Sequence, residues 1–188
     1  MKPTLCSAMS ALALIGCSVP VAGGPERVTE LRPDARVQPR GGAVLQRAML
    51  DGHNDARRAA GVPALGWSDE LASDAARYAA VLAETRTFRH SVEPRGRMAE
   101  GENLFTGTRG AYSYREMVDL WVAEKKDFVN RPTPDFSRTG NYADVAHFTQ
   151  IVWRGTSQVG CALASNARDD YLVCRYTPPG NVVGQRAF

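Results

Sequence analysis

Segments with helical periodicity come first in this chain, and strand-like segments come last. Apolar residues recur at every third or fourth position in three segments, which predicts amphipathic helices at 43–60, 69–82 and 114–128. Three apolar runs that contain β-branched and aromatic residues then follow one another, which predicts strands at 147–153, 158–164 and 171–176. This order favours an α+β domain with an antiparallel sheet over a doubly wound fold, in which helices and strands alternate.

Local signals set the ends of the predicted helices. A glycine and a proline follow the first helix, and Ser68 is a suitable N-cap for the second. Ser113 and Glu116 have the spacing of a capping box, which predicts the start of the third helix. Residues 86–112 and 130–146 are rich in glycine, proline and polar residues, so we expect loops there.

The first 42 residues have the pattern of an export and attachment segment. An apolar run that is too short to span a membrane ends in the sequence LIGC, which resembles the bacterial lipobox. We therefore predict a signal peptide over 1–16, a lipidated Cys17, a flexible tether over 17–42 and a folded domain over 43–188. The alternative is an ordinary signal peptide in which Cys17 has no role. We expect an exported protein, either in the cell envelope (outer membrane or periplasm) or extracellular.

Charge and cysteine content exclude one function class and suggest one cross-link. The chain has 23 Lys and Arg residues against 20 Asp and Glu residues, a net charge of +3. Because this excess is small and scattered, it does not indicate a nucleic-acid-binding surface. Cys161 and Cys174 lie on successive predicted strands, and in an exported protein their pairing in a disulfide is the default. A free reactive thiol is the alternative.

Glu124 lies on the apolar side of the third predicted helix. It follows Trp121 by three residues and precedes Phe128 by four, so helical geometry places it on their face. A carboxylate is costly to bury without a partner, so we expect it to meet a hydrogen-bond donor, a metal ion or a cleft. The alternative is a half-exposed residue at the edge of the apolar stripe, paired with Lys125 or an arginine.

Several short motifs occur in an order and spacing that resemble one protein family. They are HNDAR at 53–57, LGW at 65–67, FRHS at 88–91, GENL at 101–104, WVAE at 121–124, HFTQIVW at 147–153, YLVCRY at 171–176 and PGN at 179–181. Each motif alone is a weak signal, but their agreement extends over most of the chain. Together they resemble the CAP superfamily of cysteine-rich secretory, antigen 5 and pathogenesis-related-1 proteins, here in the form of a bacterial lipoprotein.

The resemblance implies a fold and a site. The fold is a three-layer α-β-α sandwich with a central antiparallel sheet. Its cleft is lined by two histidines and two carboxylates, which by motif are His90, Glu102, Glu124 and His147. Two neutral imidazoles with carboxylate oxygens suit zinc or a similar divalent ion. His90 and His147 are therefore candidate metal ligands, with Glu102 and Glu124 as further candidates.

The segments 53–57 and 128–136 lie outside this cleft motif and have other predicted roles. We assign His53, Asn54 and Arg57 a structural role, because inward-facing polar side chains of this type commonly bind backbone groups of loops. The segment 128–136 resembles the lipid-contacting loop region of CAP proteins.

These features leave three functions open. The first is a monomeric binding protein for a lipid, a sterol-like molecule or another envelope component, with membrane contact only through its lipid anchor. The second is a metal-assisted hydrolase in which Glu102 or Glu124 acts as general base. The third is a non-catalytic protein that interacts with the envelope or a host. We predict the first, and we assign no firm catalytic residue.

Overall fold

The computed structural model describes residues 38–92 and 99–188, so the predicted signal peptide, Cys17 and the tether up to residue 37 lie outside the described residues. Within these ranges the order is α1 (Gly42–Ala60), β1 (Gly66–Trp67), α2 (Asp69–Thr85), β2 (Gly101–Thr108), α3 (Tyr114–Ala123), a 3-10 helix (Glu124–Asp127), a second 3-10 helix (Tyr142–Asp144), α4 (Ala146–Ile151), β3 (Gln158–Ser165) and β4 (Asp169–Thr177). No helix in this part of the chain combines the length and apolar character that a membrane span requires.

The sheet has the strand order β1-β3-β4-β2. β4 pairs antiparallel with both β2 and β3, whereas the two-residue β1 pairs parallel with the start of β3. The α+β class is therefore confirmed, but the sheet is mixed rather than purely antiparallel. The strands predicted at 158–164 and 171–176 are confirmed as β3 and β4.

Alternate residues of β4 face two separate apolar layers. Leu172, Cys174 and Tyr176 belong to the layer that contains α1, α3 and α4, whereas Tyr171 and Val173 pack with α2. Successive side chains of a strand point to opposite faces of a sheet, so this central strand is buried on both sides. Helices therefore cover both faces, as the α-β-α sandwich requires.

Residues 147–153 do not form the predicted strand. The helix α4 spans Ala146–Ile151, and the Glu124 carboxylate accepts two backbone N–H groups of its first turn. Phe148 and Ile151, which are three residues apart, are both buried. The run is too short for its periodicity to separate a strand from a helix, and the strand prediction was therefore wrong.

Part of the predicted loop 86–112 is the strand Gly101–Thr108, which pairs with β4 along its whole length. A Cβ atom on Gly101 would lie 2.2 Å from Oε1 of Gln150, so the glycine allows close packing against α4. Glycine at this position indicates close contact rather than a loop. The third helix is also shorter than predicted and passes into the 3-10 helix Glu124–Asp127.

The buried guanidinium of Arg57 joins α1 to distant parts of the chain. It donates hydrogen bonds of 2.6–3.0 Å to the carbonyl oxygens of Pro63, Ile151, Trp153 and Thr156. Burial lowers the pKa of Arg57 to about 10, so the side chain stays charged at neutral pH. A charged donor makes stronger hydrogen bonds than a neutral one, and this cation satisfies four backbone acceptors at once.

The other two residues assigned a structural role also bind within the domain. Nδ1 of His53 lies 2.7 Å from the carbonyl oxygen of Met49, and its Nε2 lies 2.8 Å from the hydroxyl of Tyr176. The side-chain amide of Asn54 donates to the carbonyl oxygen of Leu65 and accepts the N–H of the same residue. These bonds hold the connection from α1 to β1 against the core.

The expected disulfide between Cys161 and Cys174 is present. The two residues are directly opposite one another on β3 and β4, with their Cα atoms 4.1 Å apart. A short separation of this kind is typical of a pair that does not exchange backbone hydrogen bonds in an antiparallel ladder. The N–H and C=O groups of Cys161 therefore point away from β4.

Replacing Arg57 tests how far the fold depends on its buried cation. Arg57→Met keeps an apolar stem but leaves four carbonyl oxygens without their donor, so we expect the free energy of unfolding to fall by about 3 kcal/mol or more. The matched control is Arg58→Met, because Arg58 is exposed; we expect a change within about 0.5 kcal/mol. Urea denaturation measures both. Equal effects would contradict the prediction.

Candidate functional site

His90 and Glu102 form the first of two histidine–carboxylate pairs. Nδ1 of His90 lies 2.7 Å from Oε1 of Glu102, which also accepts the N–H of Ser91 at 3.0 Å. Oε2 of Glu102 lies 2.9 Å from Nη2 of Arg175. The side chain of Glu102 is only 7% exposed, whereas that of His90 is 65% exposed. A buried carboxylate therefore holds one nitrogen of an accessible imidazole.

Arg175 holds Glu102 and the chain around His90 in place. It lies opposite Glu102 in the pairing of β4 with β2, and its guanidinium also contacts Glu100 at 3.3 Å and the Ser91 hydroxyl at 3.0 Å. The same guanidinium lies 5.5 Å from the centroid of the Tyr78 ring, within range of a cation–π contact. Arg175 was not predicted from the sequence, although a charge among apolar residues of a central strand is a usable signal.

The environment shifts both pKa values of the first pair. The hydrogen bond to Glu102 raises the pKa of His90 above 6.5, against the smaller effect of partial burial. Burial raises the pKa of Glu102, but the hydrogen bond from His90, the charge of Arg175 and the Ser91 N–H together outweigh it and leave the pKa below 4.5. The His90 contribution to stability is lost as pH rises through its folded pKa, and that of Glu102 is lost as pH falls through its own. The pair thus contributes most between about pH 4.5 and 6.5.

His147 and Glu124 form the second pair. Nδ1 of His147 lies 2.6 Å from Oε1 of Glu124, and Oε2 accepts the backbone N–H groups of His147 and Phe148 at 3.0 Å. The Trp121 ring stacks on the His147 ring with centroids 5.8 Å apart and an interplanar angle of 15°. Glu124 therefore binds a histidine ring and two backbone N–H groups, and not the Lys125 or arginine of the alternative interpretation.

The start of β2 contacts both pairs. Glu102 is the second residue of this strand, and the side-chain amide of the next residue, Asn103, donates to the carbonyl oxygen of His147 at 3.1 Å. Because β2 is the last strand of the sheet, both pairs lie at a sheet edge. His53 does not join them, since both of its ring nitrogens are engaged in the core.

The arrangement of donors decides which atoms could hold a metal ion. Within residues 38–92 and 99–188, no three His, Cys, Asp or Glu side chains are grouped as metal ligands. Each carboxylate instead faces an imidazole Nδ1, which favours the tautomer with the proton on Nδ1 and the lone pair on Nε2. Carboxylates commonly orient metal-binding histidines in this way. The donor set therefore offers two imidazole nitrogens, with Glu102 and Glu124 as groups that orient the rings.

The segment 128–136 directs its aromatic rings inward. Phe136 is fully buried, and the ring of Phe128 packs against those of Phe136, Phe148 and Phe188. Thr133 is also buried, and its N–H donates to the carbonyl oxygen of Gln185. The side chains that remain exposed in this segment are prolines and charged residues.

The chain contains three histidines, so each imidazole can be followed separately in an NMR titration. We expect His90 to titrate above pH 6.5 and Glu102→Gln to lower its pKa, because the substitution removes the charged hydrogen-bond acceptor. Glu124→Gln is the control, since Glu124 contacts the other imidazole. Burial lowers the pKa of His53 to about 4, so its signal is recognised because this ring stays neutral over the titration. A His90 pKa that does not respond to Glu102→Gln would contradict the assigned geometry.

Comparison with known proteins adds an independent line of evidence. Residues 50–176 match the model of the CAP family, described as the cysteine-rich secretory protein family. The chain is 36% identical over 140 residues to the pathogenesis-related protein PR-1 type of Sambucus nigra, with 74% of this chain and 79% of that protein covered. It is 34% identical over 142 residues to the human Golgi-associated plant pathogenesis-related protein 1, with 74% and 86% covered.

Solved structures show the same fold. The crystal structure of NaASP2 with Zn2+ superposes with a TM-score of 0.63 at 22% identity, and covers 78% of this chain and 86% of that one. At this identity the similarity concerns the fold alone. The family match and the sequence relatives agree with it, and together they show that this chain belongs to the CAP family.

Proposed function

We propose that this CAP domain is a binding domain in which His90 and His147 hold a divalent metal ion of the zinc class. The observation that carries the proposal is the repeated use of a carboxylate on Nδ1 of an imidazole, exposed in His90 and half-buried in His147. This contact fixes the ring, makes the neutral tautomer with an Nε2 lone pair favourable and increases the basicity of that nitrogen. A bound ion would supply a Lewis-acidic centre for a ligand oxygen or nitrogen.

Binding is a better account of the two carboxylates than catalysis. Glu102 accepts from His90 and Ser91 through one oxygen and faces Arg175 with the other. Glu124 accepts from an imidazole through one oxygen and from two backbone N–H groups through the other. A carboxylate that holds the Nδ1 of an imidazole orients that ring, which is the role that ligand binding by the imidazole requires.

The location of the domain and the class of its ligand belong to the same proposal. A disulfide in the core, together with membership in a secretory family, supports an exported protein. Lipidation of Cys17 and location in the bacterial envelope stay predictions. A lipid or sterol-like ligand also stays a prediction, and any contact through 128–136 would use the exposed Pro132 and Pro134, because the aromatic rings pack inward.

Titration with ZnCl2 tests the metal proposal directly. We expect isothermal titration calorimetry of the full chain to show saturable binding that is lost in both His90→Ala and His147→Ala. Glu102→Gln and Glu124→Gln should weaken binding by about 10–100-fold, because they remove the orienting carboxylate and keep the ligand nitrogen. Affinity should also fall as pH decreases through the raised pKa of His90, since only the neutral ring binds metal.

The control is Glu84→Gln, which changes an exposed carboxylate on α2 and should leave binding unchanged. Circular dichroism of each variant checks that the fold is retained, which matters for Glu124 because it also caps α4. Zinc binding that persists in both histidine variants, or an absence of binding by the unaltered chain, would contradict the proposal.

A further inference from the structure

The side of the sheet opposite the histidine–carboxylate pairs ends in a partly open strand. β1 pairs with β3 only at Gln158 and Val159, although β3 continues to Ser165. The N-terminus of α2 packs against Gly160, where a Cβ atom would lie 2.2 Å from the N of Ala72. Beyond this point no other described strand lies beside β3. The open part of the edge is therefore the stretch 161–165.

The backbone groups of Cys161 and Leu163 point toward this open side. The carbonyl oxygen of Val159 faces outward, since it accepts the N–H of Ser68. Outward and inward groups alternate along an antiparallel strand, so the N–H and C=O groups of residues 161 and 163 have the same outward direction. The backbone hydrogen bonds found among the described residues outside the sheet ladder do not reach these groups.

A cavity of about 460 Å³ lies beside the same residues. Its walls include the rings of Trp67 and Tyr114 and the apolar side chains of Leu45 and Leu163. The carboxylate of Asp69 also lines it, and this residue is exposed. The volume lies in the range that holds a side chain or a small ligand, and the walls combine apolar and polar surface with one negative charge.

The sequence of β3 offers no protection against pairing. The strand QVGCALAS contains neither a charged residue nor a proline. Proteins usually block an open sheet edge with such residues, because unpaired N–H and C=O groups attract further strands. An unblocked edge beside a cavity with apolar and polar walls is therefore a suitable place for a strand from a partner.

We propose that the open edge of β3 binds an extended peptide, which adds a strand beside Cys161 and Leu163. Outward groups on residues two apart are about 7 Å apart, the repeat of an extended chain, so a peptide backbone satisfies both donors and both acceptors. An apolar side chain of the peptide enters the cavity beside Trp67. A basic side chain pairs with Asp69, whose Oδ1 accepts the indole N–H of Trp67, while the neighbouring Glu70 adds a second negative charge.

Selection from a phage-displayed library of random heptapeptides on the full chain tests this proposal. We expect enriched peptides that alternate apolar and polar residues and carry a Lys or Arg. Leu163→Pro removes an N–H that faces away from β4, so the ladder survives. Leu163→Ala removes the same side-chain contacts and keeps this N–H. The proline variant should bind the enriched peptides at least about tenfold more weakly than the alanine variant, and Asp69→Asn should weaken those with a basic residue.

Peptides that are N-methylated at alternate backbone amides test the same hydrogen bonds on the unaltered chain, in case Leu163→Pro fails to fold. We expect one methylation register to abolish binding and the other to have little effect. Equal binding to the proline and alanine variants, equal tolerance of both registers, or no enrichment would overturn the proposal. A dimer in sedimentation analysis that Leu163→Pro dissociates would also overturn it, because a second copy would then occupy the edge.

Discussion

The charged hydrogen bonds of Arg57 hold together the segments from which the rest of the domain is arranged. One guanidinium on α1 binds the chain that leads to β1, the end of α4 and the turn before β3. α4 carries His147 at its start, so the position of the second histidine–carboxylate pair depends on a cation at the other end of the same short helix. A buried charge without its hydrogen-bond partners is costly, which makes this set of contacts mutually dependent.

The two edges of the sheet differ in how their polar groups are satisfied. At the β2 edge the polar contacts are made by side chains, because Glu102 and Asn103 bind groups from three other segments. At the β3 edge the outward groups belong to the backbone, and β1 covers only the first of them. In the two proposals, the first edge would select a ligand by charge and ligand-atom type, and the second by the geometry of an extended chain.

Much of the fold could be predicted from the sequence, because α1, α2, α3, β3 and β4 carry strong local signals. The capping box of Ser113 and Glu116 is present, and Ser68 caps α2. α4 and β2 could not be predicted in this way, since each depends on contacts distant in sequence. Glu124 supplies the first-turn acceptor of α4, and β4 supplies the pairing partner of a glycine-containing segment. Motif resemblance indicated the four site residues, and helical spacing independently indicated Glu124. Arg175, which holds Glu102, lies within the motif at 171–176, but no role was predicted for it.

The carboxylate of Glu124 has two roles. It holds the imidazole of His147, and it also caps the start of α4 by accepting two backbone N–H groups. A relative that had lost every ligand for this cleft would still need an acceptor at the start of that helix, and selection for folding alone would keep the glutamate. The presence of this residue in another chain is therefore evidence of a shared architecture. Evidence of retained binding has to come from His90, whose side chain is 65% exposed.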